Sequence, residues 1–189
     1  AGLELAIASG FRSFERQLTI WNAKYVGVAP VYDKAQNVIQ LDNLDSWQKV
    51  QAILNYSALP GASRHHWGTD FDFYDKSSLP PNYQLQLTPD EYLHRGPFAD
   101  LTLWLHTHSQ EFGFYFPYQD GQSGVAPEPW HISYYPLADR FMMQLESEPK
   151  RLFDILMTAE IEGKNTILHK FEYILDKYIL NVAKSGLNE

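Results

Sequence analysis

The chain has 189 residues, a formal net charge of -8 and no cysteine, which bounds it at one domain or one domain with an appendage and excludes disulfides and thiolate chemistry. An acidic balance without any Lys/Arg cluster argues against nucleic acid and against a polybasic membrane surface as partners. Hydrophobic residues at 44% and aromatics at 15% can fill a packed core, yet no apolar run approaches the roughly 20 residues of a transmembrane segment.

The opening Ala1-Gly2-Leu3-Glu4-Leu5-Ala6-Ile7 reads as the interior of a domain, with Leu3 to Ala8 as a short strand. Ser9-Gly10 is a turn, and Ser13 can cap a helix carrying Phe14, Leu18, Trp21 and Tyr25 at helical spacing. Residues 27–45 read as a loop, Trp47 to Leu54 as a helix and Leu59-Pro60-Gly61 as a turn. From Thr69 to Tyr74 the pattern alternates, Phe71 and Phe73 against Asp70, Asp72 and Tyr74, which predicts a half-buried strand. Residues 75–97 hold four prolines and form a long excursion. Leu101, Trp104, Leu105 and Phe112 make a helical stripe with Gly113 as its C-cap. Phe114 to Tyr118 and Trp130 to Tyr135 are strand candidates, with a hairpin-type turn at residues 120–124. Beyond Pro136 the stretches Phe141–Leu145, Leu152–Ile161 and Ile167–Ile179 are helical. The predicted class is α+β, a small antiparallel sheet with flanking helices, divided into residues 1–136 and a helical C-terminal extension, 137–189.

Two segments concentrate groups able to hold a metal: Ser63-Arg64-His65-His66-Trp67-Gly68-Thr69-Asp70-Phe71-Asp72, and Glu128-Pro129-Trp130-His131. A catalytic zinc takes three ligands from histidine and carboxylate and keeps one position open. It lowers the pKa of its water to about 7, and a nearby carboxylate takes the proton. The two segments supply two histidines, a ligating carboxylate and a free one. Spacing alone leaves His65 against His66 and Asp70 against Asp72 open. Pro129 bends the chain so that Glu128 and His131 can reach one cleft.

Ser63-x-His65-x-x-Gly68-x-x-x-Asp72 followed by Glu128-Pro129-Trp130-His131 resembles the VanY-type D-alanyl-D-alanine carboxypeptidase family. Ser9-Gly10-Phe11-Arg12-Ser13 with Gln17, and Phe112-Gly113-Phe114 with Pro117, extend the likeness from about Ala6 to Tyr135. The resemblance implies a zinc cleft with His65, Asp72 and His131 as ligands and Glu128 as the base for the zinc-bound water. It further implies that Arg12 faces the substrate carbonyl or terminal carboxylate and that Ser63 helps to bind that carboxylate. The implied substrates are peptidoglycan stem peptides cut at a C-terminal D-alanine, which places the protein in the periplasm or cell wall. Dipeptidase or endopeptidase action and a zinc-bearing, non-catalytic binding domain are the alternatives; the presence of Glu128 favours catalysis. Asp70 stands where the family carries a small apolar residue, and the family's helix before the first strand is missing, so the chain is expected to begin inside the domain. Asp70 is expected either to face solvent or to stand behind a ligand, where it could orient a histidine by accepting its N–H, and His66 either to support the ligands or to form the pocket wall. Trp67, Trp130, Tyr134 and Tyr135 fit either groove or core. His106 and His108, about 200° apart on a helix, are expected to be structural, and His94 and His169 to lie on the surface.

Overall fold

The computed structural model describes residues 2–185; residue 1 and residues 186–189 of the two expected segments lie outside them. Four strands, β1 (Leu5–Ser9), β2 (Asp70–Asp75), β3 (Phe114–Tyr115) and β4 (His131–Tyr134), form one antiparallel sheet in the order β1-β2-β4-β3. The register of β2 on β4 sets Asp70 opposite Ser133 and Asp72 opposite His131. Side chains alternate across a strand, so these four share one face, while Phe71, Phe73 and Ile132 share the other. The alternation is as expected, but the half-buried environment is not. Asp70 and Asp72 are only 0% and 4% exposed, because the turn Arg64–Trp67 packs over the polar face. A bulge between Ile7 and Ser9 shifts the β1 register and re-aims the end of the strand. β3 stops at Tyr115, short of the expected Tyr118, as the chain nears Pro117, which has no N–H to donate.

Helix α1 (Phe14–Tyr25) starts where Ser13 accepts the Arg16 N–H. Helix α2 (Ser46–Leu54) starts at an Asp45/Gln48 capping box. The proline-rich excursion contains the single turn α3 (Pro89–Tyr92), likewise boxed by Thr88 and Glu91. Helix α4 (Ala99–His108) tightens into a 3-10 turn at Ser109–Phe112 and ends at Gly113, φ 82°. Phe112 lies on that turn and is exposed rather than part of the stripe. Residues 120–124 do not close a hairpin; a long connection, 116–130, separates β3 from β4. There Gly124, φ 120°, passes so close to the Lys177 carbonyl that a Cβ has no room.

After β4 the chain is helical: α5 (Tyr135–Ser147), α6 (Pro149–Thr158), α7 (Lys164–His169), α8 (Phe171–Ile174) and a π turn, Leu175–Ile179. The expected single helix over 167–179 is broken at Lys170. These elements complete the larger of two cores: Trp21, Val50 and Ile53 of α1 and α2 pack with Leu156, Ile167 and Ile174. Trp21 also donates its indole N–H to the Glu162 carbonyl. The smaller core lies under the Phe73 face of the sheet, with Tyr92, Phe98, Leu101 and Trp130. Each fully buried aliphatic side chain contributes about 1.5–3 kcal/mol. Among the described residues no helix is long and apolar enough to cross a membrane.

Candidate active site

One ligand atom from each of His65, Asp72 and His131 lies within 4.8 Å of the others, and all three residues are buried. His65 comes from the turn before β2, Asp72 from β2 and His131 from β4. Each histidine presents a defined nitrogen. His65 Nδ1 is 2.9 Å from the Gly10 carbonyl and donates to it, which leaves Nε2 facing Asp72 Oδ2 at 3.5 Å. His131 Nε2 is 2.9 Å from Asp70 Oδ1, which leaves Nδ1 at 3.3 Å from both Asp72 Oδ1 and Glu128 Oε2. Asp72 Oδ1 is buried and has no hydrogen-bond partner, since its approach to His131 lacks the alignment of a hydrogen bond. Two imidazole nitrogens and one carboxylate, itself with an orphaned oxygen, fit a divalent cation of the zinc type.

Asp70 is fully engaged elsewhere. Besides His131 it accepts from Arg64 Nε at 2.7 Å, Thr69 Oγ1 at 2.7 Å and Ser133 Oγ at 3.1 Å. The geometry therefore puts Asp70 behind His131, fixing that ring's orientation, and leaves Asp72 as the carboxylate of the three-residue cluster. Arg64 is the residue that sequence reasoning missed here. It is buried, bonds Tyr115 and Ser133 through Nη2, and stacks over Trp67 at 4.9 Å. Its place between the two motif residues Ser63 and His65 was the available signal.

Glu128 reaches the cluster through a tight turn, with the His131 N–H donating to the Glu128 carbonyl at 3.1 Å across Pro129-Trp130. On the opposite wall, three hydrogen bonds clamp the β1–α1 turn to the ligand turn: Arg12 N–H to the His65 carbonyl, His65 Nδ1 to Gly10, and His66 Nδ1 to the Arg12 carbonyl at 2.6 Å. His66 Nε2 accepts from the Gly61 N–H, so His66 is a brace of this turn. Gly68, φ 70°, lets the ligand turn reverse into β2. The Arg12 guanidinium is held by Gln17 Oε1 at 2.9 Å and Ser9 Oγ at 3.0 Å. Arg12, Ser63, His65, Asp72, Glu128 and His131 all line one cleft of about 380 Å³. Lys24, Tyr56, Tyr118 and Trp130 line it too; of these only Trp130 was singled out from sequence. Trp67 packs on Phe141 and Tyr134 on Phe114, away from the cleft. His106 stacks on Phe116 and His108 bonds Glu111, so the two do not converge. His94 and His169 are exposed.

The electrostatics separate the roles. Burial, reinforced by repulsion from His131, holds the His65 pKa down to about 4, so its lone pair is free at neutral pH. Burial alone would lower His131, but Asp70, Asp72 and Glu128 around it outweigh burial and raise it well above its ordinary value. Burial raises the Glu128 carboxyl, with His131 opposing. Burial would raise Asp72 as well, but His131 and His65 hold it below the usual range. A cation at the ligand atoms would replace the proton that this anionic cluster now attracts to His131.

The family model of VanY, D-alanyl-D-alanine carboxypeptidase, matches residues 1–137. An uncharacterised protein of Haemophilus influenzae is 38% identical over 124 residues, 65% of this chain and 93% of that protein. A second uncharacterised protein of the same organism is 53% identical over 58 residues, 31% of this chain and 40% of its own length. Among solved structures, a mutant of the vancomycin-resistance D,D-pentapeptidase VanY in complex with Zn(II) superposes with a TM-score of 0.46 at 26% identity, over 70% of this chain and 61% of that one. The LD-carboxypeptidase LdcB gives 0.43 at 25% identity, over 74% and 60%. This chain thus spans about three-fifths of each of those two. With the match over residues 1–137, the chain belongs to the VanY D-alanyl-D-alanine carboxypeptidase family.

Proposed function

We propose that this protein is a zinc-dependent carboxypeptidase that removes the C-terminal D-alanine from peptidoglycan stem peptides. The observation that carries the reading is the convergence of His65, Asp72 and His131 around an orphaned carboxylate oxygen, with Glu128 3.3 Å from His131. His65 Nε2, Asp72 and His131 Nδ1 are the ligands. Zinc, when bound, supplies a Lewis acid for the scissile carbonyl and acidifies a water. Glu128, whose burial raises its proton affinity, takes the proton of the attacking water and returns it to the leaving amine nitrogen. Arg12, pinned by Gln17 and Ser9, offers its guanidinium to the substrate's oxygens, and Ser63 adds a hydroxyl to the terminal carboxylate. Asp70 and Arg64 keep the His131 ring in place. On this reading residues 1–136 carry the chemistry, and the helices of the extension from Pro149 to Ile179 pack against α1 and α2. The protein would act where its substrate lies, in the periplasm or cell wall.

The test is product analysis by mass spectrometry on tetra- and pentapeptide stems, with and without chelator. The expected result is loss of one terminal alanine, abolished by chelator and restored by Zn2+. Release of a dipeptide or internal cleavage would replace the carboxypeptidase assignment, and chelator-insensitive turnover would sink the zinc assignment.

A further inference from the structure

Lys24 enters the same cleft from α1, about two turns beyond Gln17. Its ammonium donates to Ser57 Oγ at 2.6 Å, and Ser57 is itself buried. The lysine salt bridges among the described residues are Lys76–Glu4 and Lys150–Asp154; Lys24 has none. Burial lowers its pKa, an effect that Glu128 offsets and Arg12 reinforces. A partly buried ammonium that shares its cleft with a second cation and is bonded to one neutral hydroxyl is short of negative charge. Asp70 is already matched by Arg64, and Asp72 with Glu128 would balance a divalent ion. Arg12 and Lys24 then remain as two cations in the cleft, and the terminal carboxylate of a substrate answers only one. Arg12 sits on the turn that carries the His65 hydrogen bond, whereas Lys24 lies about 16 Å further along the rise of α1 from Ser13 and reaches back to the cleft.

We propose that Lys24 and Ser57 form a second anion subsite, which selects stem peptides bearing a free carboxylate N-terminal to the scissile bond. This rests on the peptidase reading above and deepens it by naming the substrate class. Gln36 and Tyr56, bonded to each other at 2.7 Å, line the cleft as well and supply neutral donors around such a group. An amidated peptide of the same shape offers no charge to the ammonium, so the subsite discriminates carboxylate from carboxamide.

The experiment uses two peptides of equal length ending in D-alanine, identical except that one upstream carboxylate is amidated in the second. The wild-type protein should prefer the carboxylate form at least about tenfold in kcat/KM, the range of a charge-assisted hydrogen bond. Lys24→Met should bring the ratio to within about twofold of unity, mainly through KM, and Lys24→Arg should restore it. If the methionine variant does not fold, Lys24→Gln takes its place. Equal turnover of both peptides by the wild type, or equal losses on both in the variant, overturns the subsite and leaves the peptidase reading intact. Calorimetric binding of both peptides to the zinc-loaded protein covers the converse. Selective binding that Lys24→Met abolishes, without any hydrolysis, keeps the subsite and sinks the peptidase reading.

Discussion

At the residue scale the two histidines differ in how they are prepared. His65 is neutral by burial, and its Nδ1 proton is committed to Gly10. His131 sits among three carboxylates and holds its proton tightly. Metal loading should therefore expel a proton from His131, so affinity should fall as pH drops. Zinc titration calorimetry at pH 7 in buffers of different ionisation enthalpy should show about one proton released; no buffer dependence would contradict the protonated His131. Glu128 is buried but, on the proposed reading, is not a ligand. Glu128→Gln should keep stoichiometric zinc and lose about 100- to 10,000-fold in kcat, the usual contribution of a general base. Metal analysis beside steady-state kinetics separates that outcome from loss of the ion. Arg64 shows what residue-level reading overlooks: a charged neighbour of two motif residues reads as solvent-facing until its partner, Asp70, is seen beneath it.

At the element scale, β2 organises the site at both ends. Its interior sets Asp72 against His131, and its last residue, Asp75, ties β1 and the next turn to it. Asp75 accepts from the Glu4 N–H and from Ser77 and Ser78. Burial would raise its carboxyl pKa, but these bonds outweigh burial and depress it. A folded pKa below the unfolded value means stability that is present above about pH 3.9 and lost as pH falls through the folded pKa. Asp75→Asn should thus cost about 1–3 kcal/mol at pH 7, and the gap to wild type should narrow as pH falls below about 4. Urea unfolding at pH 7 and pH 3 measures both. A gap independent of pH would mean the amide breaks packing rather than charge. The alternation of Phe71 and Phe73 with Asp70 and Asp72 was legible in the sequence; the burial of the acidic side was not, because the covering turn and β4 come from other parts of the chain.

At the scale of the whole molecule, the helices after Pro136 complete a core begun by α1 and α2. Trp21, Val50 and Ile53 meet Leu156, Ile167 and Ile174 there, all 0–1% exposed. A chain ended at residue 136 would uncover that surface, and α1 follows directly on the turn that bears Arg12 and carries Lys24 near its end. Within the full chain, Ile174→Ala should lower stability by about 2–5 kcal/mol, read from denaturant unfolding. A cost under about 0.5 kcal/mol would show the extension to be loosely attached. The helical character of the extension was readable from its apolar spacing. The break at Lys170 and the π turn were not, since both answer to packing.

Sequence by itself determined the candidate ligands, a candidate base and the family likeness, because those depend on residue type and order. It also located most elements, because periodicity and capping are local. Spacing left Asp70 and Asp72 open and the family likeness favoured Asp72; what only the tertiary structure decided is which of the two carboxylates keeps an unpartnered oxygen. Arg64, Thr69, Ser133 and His131 occupy Asp70, while Asp72 Oδ1 is left without a partner. Those donors come from the ligand turn and from a strand about 60 residues away, pairings that no local pattern encodes.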